Sequence, residues 1–575
     1  MHPLAPAPAC ARPGVAPQPV AGSTPVTPGE PRADDWWCTG VVYQIYPRSF
    51  ADHDGDGVGD LRGIISHLDH LRGTPGSLGV DALWLSPIYP SPGRDLGYDV
   101  SDHEAIDPLF GTLADFDRLV EEAHRRGLRV ILDLVMNHTS DEHPWFVESC
   151  AGRDGPYADY YIWRDPNGTT RRGRPRPPNN WVSCFGGSAW AWEPRRGQFY
   201  LHTFLPQQPD LNWRNPQVRA AQFGMVRGWL ARGVDGFRLD VFNAFLKHPD
   251  LRSNPRRPSG RRPWDRQLHV YDKDQPELDE LLAEFRAILD EQPGWMSVGE
   301  LFEGDPALAA RYWAPRHLVF DFRLLEQPWS AAAFAQAIDE REAAFGPDRW
   351  PTVVLSNHDN SRHVSRYAGA ADPEAVDAIA RASALILLTL RGTPFLYYGE
   401  EIGMPDIRVP GAEALDPPAR RRGFGWWNRD QARAPMPWTG DPGSGFTSGR
   451  PWLPLPRDAA RRNVADQIGD PSSVLGFYRR LLAARRLSPA IREGLLHRFD
   501  PGDPDVLSFV RSAPGQDALV VVNFTSDGAT ARIATGRPGV RWRPLVGTHD
   551  PPKQVVVDGG TLRLRPLEGV LFVTF

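Results

Sequence analysis

Hydrophobic and polar positions along this chain fall into two kinds of block. Short runs rich in β-branched and aromatic residues read as strands, and longer runs with apolar positions three and four apart read as helices. Residues 41–46 predict a first strand, 64–71 a helix, 82–86 a second strand, 113–126 an amphipathic helix and 129–135 a third strand. The rhythm breaks at Thr139 and resumes near residue 213. From there 218–232 predicts a helix, 235–241 a strand, 276–289 a helix and 376–390 another. Strands are predicted at 296–300, 318–322, 352–357 and 393–398. Strand–helix–strand units with short joins require parallel pairing, and eight such strands close into a (β/α)8 TIM barrel.

The fold class predicted is therefore α/β, with the barrel in two pieces, 34–138 and 213–490. Residues 139–212 hold Gly, Pro, Asn and aromatics without a long helical period; so long a connection predicts an inserted subdomain after strand 3. Short alternating runs at 506–510, 518–523, 561–564 and 570–575 predict a C-terminal antiparallel β domain over 491–575. Residues 1–33 are rich in Pro and Ala, with no basic start and no continuous apolar stretch. They predict a disordered tail rather than a secretory signal.

Composition narrows the class. Of 575 residues, 41% are hydrophobic and 24% charged, as in a soluble globular protein. A net charge of −6 points neither to nucleic acid nor to an acidic membrane surface. No run of 18 apolar residues predicts a membrane span. Cys10, Cys38, Cys150 and Cys184 are far apart and fit no metal spacing, which suits a reduced, cytoplasmic protein. Twenty Trp and fourteen Tyr offer flat faces that suit sugar rings, and that also fill cores.

The candidate chemistry lies at the C-terminal ends of the strands, where barrels carry their catalytic groups. Strand 4 reads Val234-Asp235-Gly236-Phe237-Arg238-Leu239-Asp240-Val241. Residues two apart on a strand share a face, so Arg238 lies beside Asp240 and holds it ionised. Alone, this pair equally suits a structural cap. The other strand ends add Asp99 after Tyr98, Asp133 with Asn137-His138, Glu300, and Asn357-His358-Asp359. Acids without Cys ligands or a phosphate loop suit glycosidic cleavage, which needs one ionised and one protonated carboxyl. Asp240 is the nucleophile of choice. Glu300, between Val298-Gly299 and Leu301-Phe302, is the proton donor. Asp359 would hold hydroxyls and favour a cationic, distorted sugar, His138 and His358 would bind the same ring, and Tyr98 and Arg238 are further expected substrate contacts. Asp133 suits a structural hydrogen bond as well as a substrate contact.

A second signal lies at Asp52-His53-Asp54-Gly55-Asp56-Gly57-Val58-Gly59-Asp60. Acids at alternate positions of a tight loop repel unless a hard cation neutralises them. Asp52, Asp54, Asp56 and Asp60, with the Val58 carbonyl, are the expected ligands of a structural calcium, or of magnesium in its place. Gly63 stands where an EF-hand has its Glu, so the loop is no EF-hand.

Asp133-Leu134-Val135-Met136-Asn137-His138, Gly236-Phe237-Arg238-Leu239-Asp240, Val298-Gly299-Glu300 and Ser356-Asn357-His358-Asp359-Asn360 together resemble, in order and spacing, the four signature regions of the α-amylase family of glycoside hydrolases. The resemblance runs from about Trp37 to the C-terminus. Gln208-Pro209-Asp210-Leu211-Asn212 resembles the fifth region of the α-glucosidase and oligo-1,6-glucosidase branch, and Asp52 to Asp60 its calcium loop. The resemblance implies Asp240 as nucleophile, Glu300 as acid/base and Asp359 as transition-state stabiliser, with retention of configuration. It implies that Arg433 fixes the terminal glucose through Asp99. Val241, just after the nucleophile, resembles enzymes favouring α-1,6 bonds.

The expectation is thus a retaining exo-α-glucosidase acting on short oligosaccharides, with α-1,4 or α-1,6 links. It is expected to act as a monomer or weak homo-oligomer, without nucleic-acid or membrane partners. A trehalose synthase, which re-attaches the glucose, or a sucrose-acting or glucosyl-transferring relative is the alternative. A non-catalytic transporter partner would lack the acids and carry a membrane helix.

Overall fold

The computed structural model describes residues 35–302, 304–313, 317–369, 372–420, 428–549 and 555–574. The tail predicted at 1–33, Cys10 and the Phe575 end of the last predicted strand lie outside the described residues.

Eight parallel strands form one sheet: β1 (Val42–Ile45), β2 (Ala82–Leu85), β3 (Arg129–Leu134), β4 (Gly236–Leu239), β5 (Met296–Gly299), β6 (Leu318–Val319), β7 (Thr352–Val354) and β8 (Thr393–Tyr397). Their order is β7-β8-β1-β2-β3-β4-β5-β6. The two ends meet through one side chain. Thr352 Oγ1 donates to the Val319 carbonyl at 3.2 Å and accepts the Asp321 N–H at 2.9 Å. A hydroxyl thus joins the edge strands where ladder bonds stop.

Strands covered on both faces must be apolar throughout, and they are. Val42, Trp84, Ile131, Met296, Val298 and Phe395 share one cluster inside the barrel. Tyr43, Leu83, Leu132 and Leu239 face the main core, shared with the surrounding helices. Gly236 is required by this filling: a Cβ there would lie 2.6 Å from the Met296 carbonyl oxygen. Because side chains alternate, the residues above this plug on the same face are Asp133, Arg238, Asp240 and Glu300. The fold so carries the acids to one end of the barrel.

The helix at Leu113–Arg125 is fixed by a capping box between Thr112 and Asp115. Three predicted elements are shorter or broken. The helix expected at 64–71 is two, Leu61–Ser66 and Leu68–Leu71, because the Ser66 hydroxyl and the His67 ring both bond the Gly63 carbonyl at the break. Strand 6 ends at Val319, where Thr352 takes the Asp321 N–H. Strand 7 ends at Val354, and Asn357 Oδ1 then accepts the Asp359 N–H in a turn.

Between β3 and β4 lie a helix at Pro144–Ala151 and a three-stranded antiparallel sheet of Trp163–Arg164, Gln198–Leu201 and Trp190–Glu193. After the barrel come a six-stranded and a two-stranded antiparallel sheet with their own apolar cluster around Leu519, Trp542 and Phe572. Trp329 stacks on Phe524, and Arg511 donates to the Thr389 carbonyl, tying these sheets to the barrel. Among the described residues no helix is long and apolar enough to cross a membrane.

Candidate active site

Register places the centre of the site. Asp133 on β3 lies opposite Arg238 on β4, which lies opposite Val298 on β5. Past the strand ends, Asp240 donates its N–H to Leu134 O at 3.1 Å and Glu300 donates its own to Leu239 O at 2.9 Å. The wholly buried Arg238 then meets three acids. Nη1 bonds Asp133 Oδ1 at 2.6 Å and Asp240 Oδ1 at 2.8 Å, while Nη2 bonds Glu300 Oε2. The Trp84 and Tyr98 rings flank the guanidinium.

One cation among three buried acids leaves an excess of negative charge. Burial, reinforced by Asp240, Asp359 and Asp133 and opposed by Arg238, lifts the Glu300 carboxyl well above the usual range, which favours its protonated form. Burial likewise raises Asp133 to about 7, against the pull of Arg238. Asp359 moves the other way. Burial opposes its ionisation, but the His358 ring and the Arg429 and Arg433 guanidiniums hold it well below the carboxylate range. Burial pushes His358 itself down to about 3, so at neutral pH the two arginines supply that positive charge. Arg433 Nη2 donates to Asp359 Oδ1 at 2.9 Å and Arg429 Nη1 at 3.3 Å.

A cavity of about 680 Å³ opens over these groups. Asp240, Glu300, Asp359, Tyr98 and His138 line it, together with Asp95, Gln208 and Arg429. Four expected substrate contacts stand elsewhere. Arg238 lies beneath the acids. Both His358 nitrogens are engaged: Gln44 Nε2 donates to Nδ1 at 2.8 Å, so Nε2–H donates to the Tyr98 hydroxyl at 2.6 Å. Tyr98 passes its own proton to Asp133 Oδ2 at 3.0 Å. Arg433 backs Asp359 and donates to the His358 carbonyl. His138 does line the cavity, but its Nε2–H bonds the Tyr98 carbonyl.

Asp99 is the clearest correction. Its carboxylate is fully buried and accepts from Ser91 Oγ, Arg94 N and Asp95 N at 2.7 to 2.9 Å. It builds the loop and does not face the cavity. Asp95 does, and its partner is Arg429, which also holds Asp416. The arginine–aspartate pairing expected between Arg433 and Asp99 is therefore made by Arg429 and Asp95. The signal was close by: each lies four residues before the residue chosen. The apolar wall of Phe185, Phe204, Trp264 and Phe302 was also missed, because aromatics in an irregular segment carry no period.

Val241 lines the cavity with φ at +33°, a left-handed conformation that costs a β-branched residue strain. The loop at 52–60 brings carboxylate oxygens of Asp52, Asp54 and Asp60 within 4.8 Å of one another. Asp56 stands outside that group, its carboxylate accepting the Val58 N–H at 2.7 Å. Three converging hard oxygens suit a calcium-sized ion. The tight turn requires Gly57, whose added Cβ would lie 1.9 Å from Arg450 O.

The family described as alpha amylase, catalytic domain, matches residues 44–494. A probable alpha-glucosidase of Rhizobium meliloti (strain 1021) is 44% identical over 534 residues, covering 89% of this chain and 93% of the relative. An oligo-1,6-glucosidase of Parageobacillus thermoglucosidasius is 38% identical over 576 residues, covering 93% and 98%. The crystal structure of an alpha-glucosyl transfer enzyme, XgtA, superposes with a TM-score of 0.86 at 44% identity, covering 94% of this chain and 99% of that one.

Proposed function

Since the chain belongs to the α-amylase family of glycoside hydrolases, we propose that it is a retaining exo-α-glucosidase acting on short oligosaccharides. The observation that carries this is the shared guanidinium: one acid beside Arg238 faces the cavity, while Glu300, on the same cation, is driven by burial toward its protonated form. Hanging both carboxyls from one planar group favours the short separation of about 5–5.5 Å that retaining enzymes use. Asp240 attacks the anomeric carbon as the bond to the departing oxygen breaks and Glu300 protonates that oxygen. Glu300, now ionised, takes a proton from water, which displaces Asp240 and frees glucose. Asp359, held ionised, stabilises positive charge on the ring in both steps. Asp95, Gln208 and Arg429 close the end of the cavity and bind the terminal glucose. Val241 biases the enzyme toward α-1,6 links, by an amount one side chain supplies, about 1–3 kcal/mol.

The test is the anomer first released from isomaltose or maltose, read by proton NMR before mutarotation. α-Glucose supports the reading, and β-glucose rejects it. A second reading is glucosyl transfer or isomerisation, favoured by the likeness to the transfer enzyme and by a cavity roomy enough for an acceptor. Accumulating trehalose or longer products from maltose would favour it.

Asp52, Asp54 and Asp60, none of which lines the cavity, are proposed to hold a structural calcium ion. The free thiols of Cys38, Cys150 and Cys184 suit a reducing compartment such as the cytoplasm.

A further inference from the structure

Residues 252–266 carry six arginines and one acid on a chain of net charge −6. Composition alone suggests a solvated loop, but the segment is built. Arg256 and Gln267 form a β-bridge, Arg257 N–H donates to Arg266 O at 2.8 Å, and Leu268 N–H to Pro255 O at 2.8 Å. The base of this hairpin is pinned to the insertion by paired amides: Asn180 Nδ2 donates to Asn254 O at 2.8 Å, and Asn254 N–H to Asn180 Oδ1 at 2.9 Å. The tip is closed by a bidentate Arg262–Asp265 pair and by Arg266 bonding Gly260 O. Gly260 is needed for that closure, since a Cβ would lie 2.7 Å from the Asp265 backbone.

This closed tip borders the cavity. Arg261, Arg262, Trp264 and Asp265 all line it. Arg262 and Asp265 neutralise each other, whereas Arg261 is exposed and, among the described residues, has no carboxylate partner. Below it, Trp264 packs on Phe302 and Phe302 stacks on Phe204, an apolar wall between the basic tip and the acids at the bottom. Glu326 also lines the cavity, and burial pushes it toward its neutral form.

A guanidinium is always charged and matches carboxylate or phosphate oxygens two at a time. We infer that this hairpin selects glucosides, or glucosyl acceptors, whose non-glucose part carries an anionic group, a carboxylate or a phosphate ester, which Arg261 meets beyond the aromatic wall. The inference deepens the exo-α-glucosidase reading and rests on it.

The test uses the full chain and two matched substrate pairs. One is 4-(carboxymethyl)phenyl α-glucoside against its uncharged amide, with the same departing oxygen. The other is maltose against maltose phosphorylated on its reducing unit. For at least one pair the expected charged-to-neutral ratio of kcat/KM is about fivefold above unity at low salt, as suits a partly exposed charge pair. It collapses in about 0.5 M salt. Arg261→Gln lowers it about fivefold and Arg261→Lys retains most of it. Which pair responds tells carboxylate from phosphate. Ratios at or below unity for both pairs, or a ratio that Arg261→Gln leaves unchanged, would overturn the inference while leaving glucoside cleavage intact. Failure to cleave the neutral members would instead reject the function itself.

Discussion

Asp240 and Glu300 are bound to the two terminal nitrogens of one guanidinium, yet Glu300 is the acid that burial and its neighbours drive toward the protonated form. A carboxyl whose folded-state pKa is raised above its unfolded value contributes stability at low pH. That contribution is lost as pH rises through the folded value. Glu300→Gln mimics the protonated state permanently. The variant is expected to gain in Tm over the parent as pH climbs above the ordinary glutamate value of about 4.3. It should also lose the alkaline limb of the activity profile, with kcat down by a factor of about 10² to 10⁴ on substrates with poor leaving groups. Thermal melts across pH check the first part, and rates the second. A Tm difference that shrinks as pH rises would contradict the assignment.

Arg238 neutralises part of a buried triple of acids. Removing one partner of such a group leaves uncompensated charge, at a cost of about 3–5 kcal/mol. Arg238→Met is expected to lower Tm sharply at neutral pH and to recover part of the loss in mild acid, where Asp133, already raised to about 7, is neutral. A deficit that does not depend on pH would mean the charge plays no part.

Asp95 and Asp99 separate a binding role from a structural one. Asp95→Asn is expected to raise KM and cut kcat/KM about 100-fold, the worth of a charged contact to a sugar hydroxyl, with little change in Tm. Asp99→Asn weakens three hydrogen bonds inside the loop and is expected to lower stability by about 1–3 kcal/mol. Denaturation and steady-state kinetics on both variants decide it. If the two profiles were exchanged, the expectation made from sequence for Asp99 would stand after all.

Chelation tests the loop at 52–60. Without a cation the oxygens of Asp52, Asp54 and Asp60, within 4.8 Å of one another, repel. Tm is expected to drop in chelator and to return with calcium, and Asp54→Asn should shrink that shift. Identical melts with and without chelator would argue against a bound ion.

The barrel was legible because parallel strands write themselves as repeated apolar runs, and because the acids cluster at their ends. β4 and the positions of Asp240, Glu300 and Asp359 followed from that alone. The depth at which a side chain sits did not. A two-residue period assigns a face, not a layer, so Arg238, His358 and Arg433 were expected to touch substrate and instead lie one layer behind it. Loops carry even less information. In Asp95-Leu96-Gly97-Tyr98-Asp99 either acid could face the cavity, and left-handed Leu96 and Gly97 turn the chain so that Asp95 does. The shortened β6 reflects a hydroxyl replacing ladder bonds, and the shortened β7 an amide-capped turn at Asn357; no propensity records either.

The most direct measurement is to trap the glucosyl-enzyme with 5-fluoro-α-glucosyl fluoride, which forms the covalent intermediate and hydrolyses slowly, and to locate the added mass by peptide sequencing. The expected result is one fluoroglucosyl group on Asp240, absent from the Asp240→Asn protein. A label on another carboxylate, or rapid turnover with inversion and no label at all, would contradict the assignment of Asp240 as the attacking group.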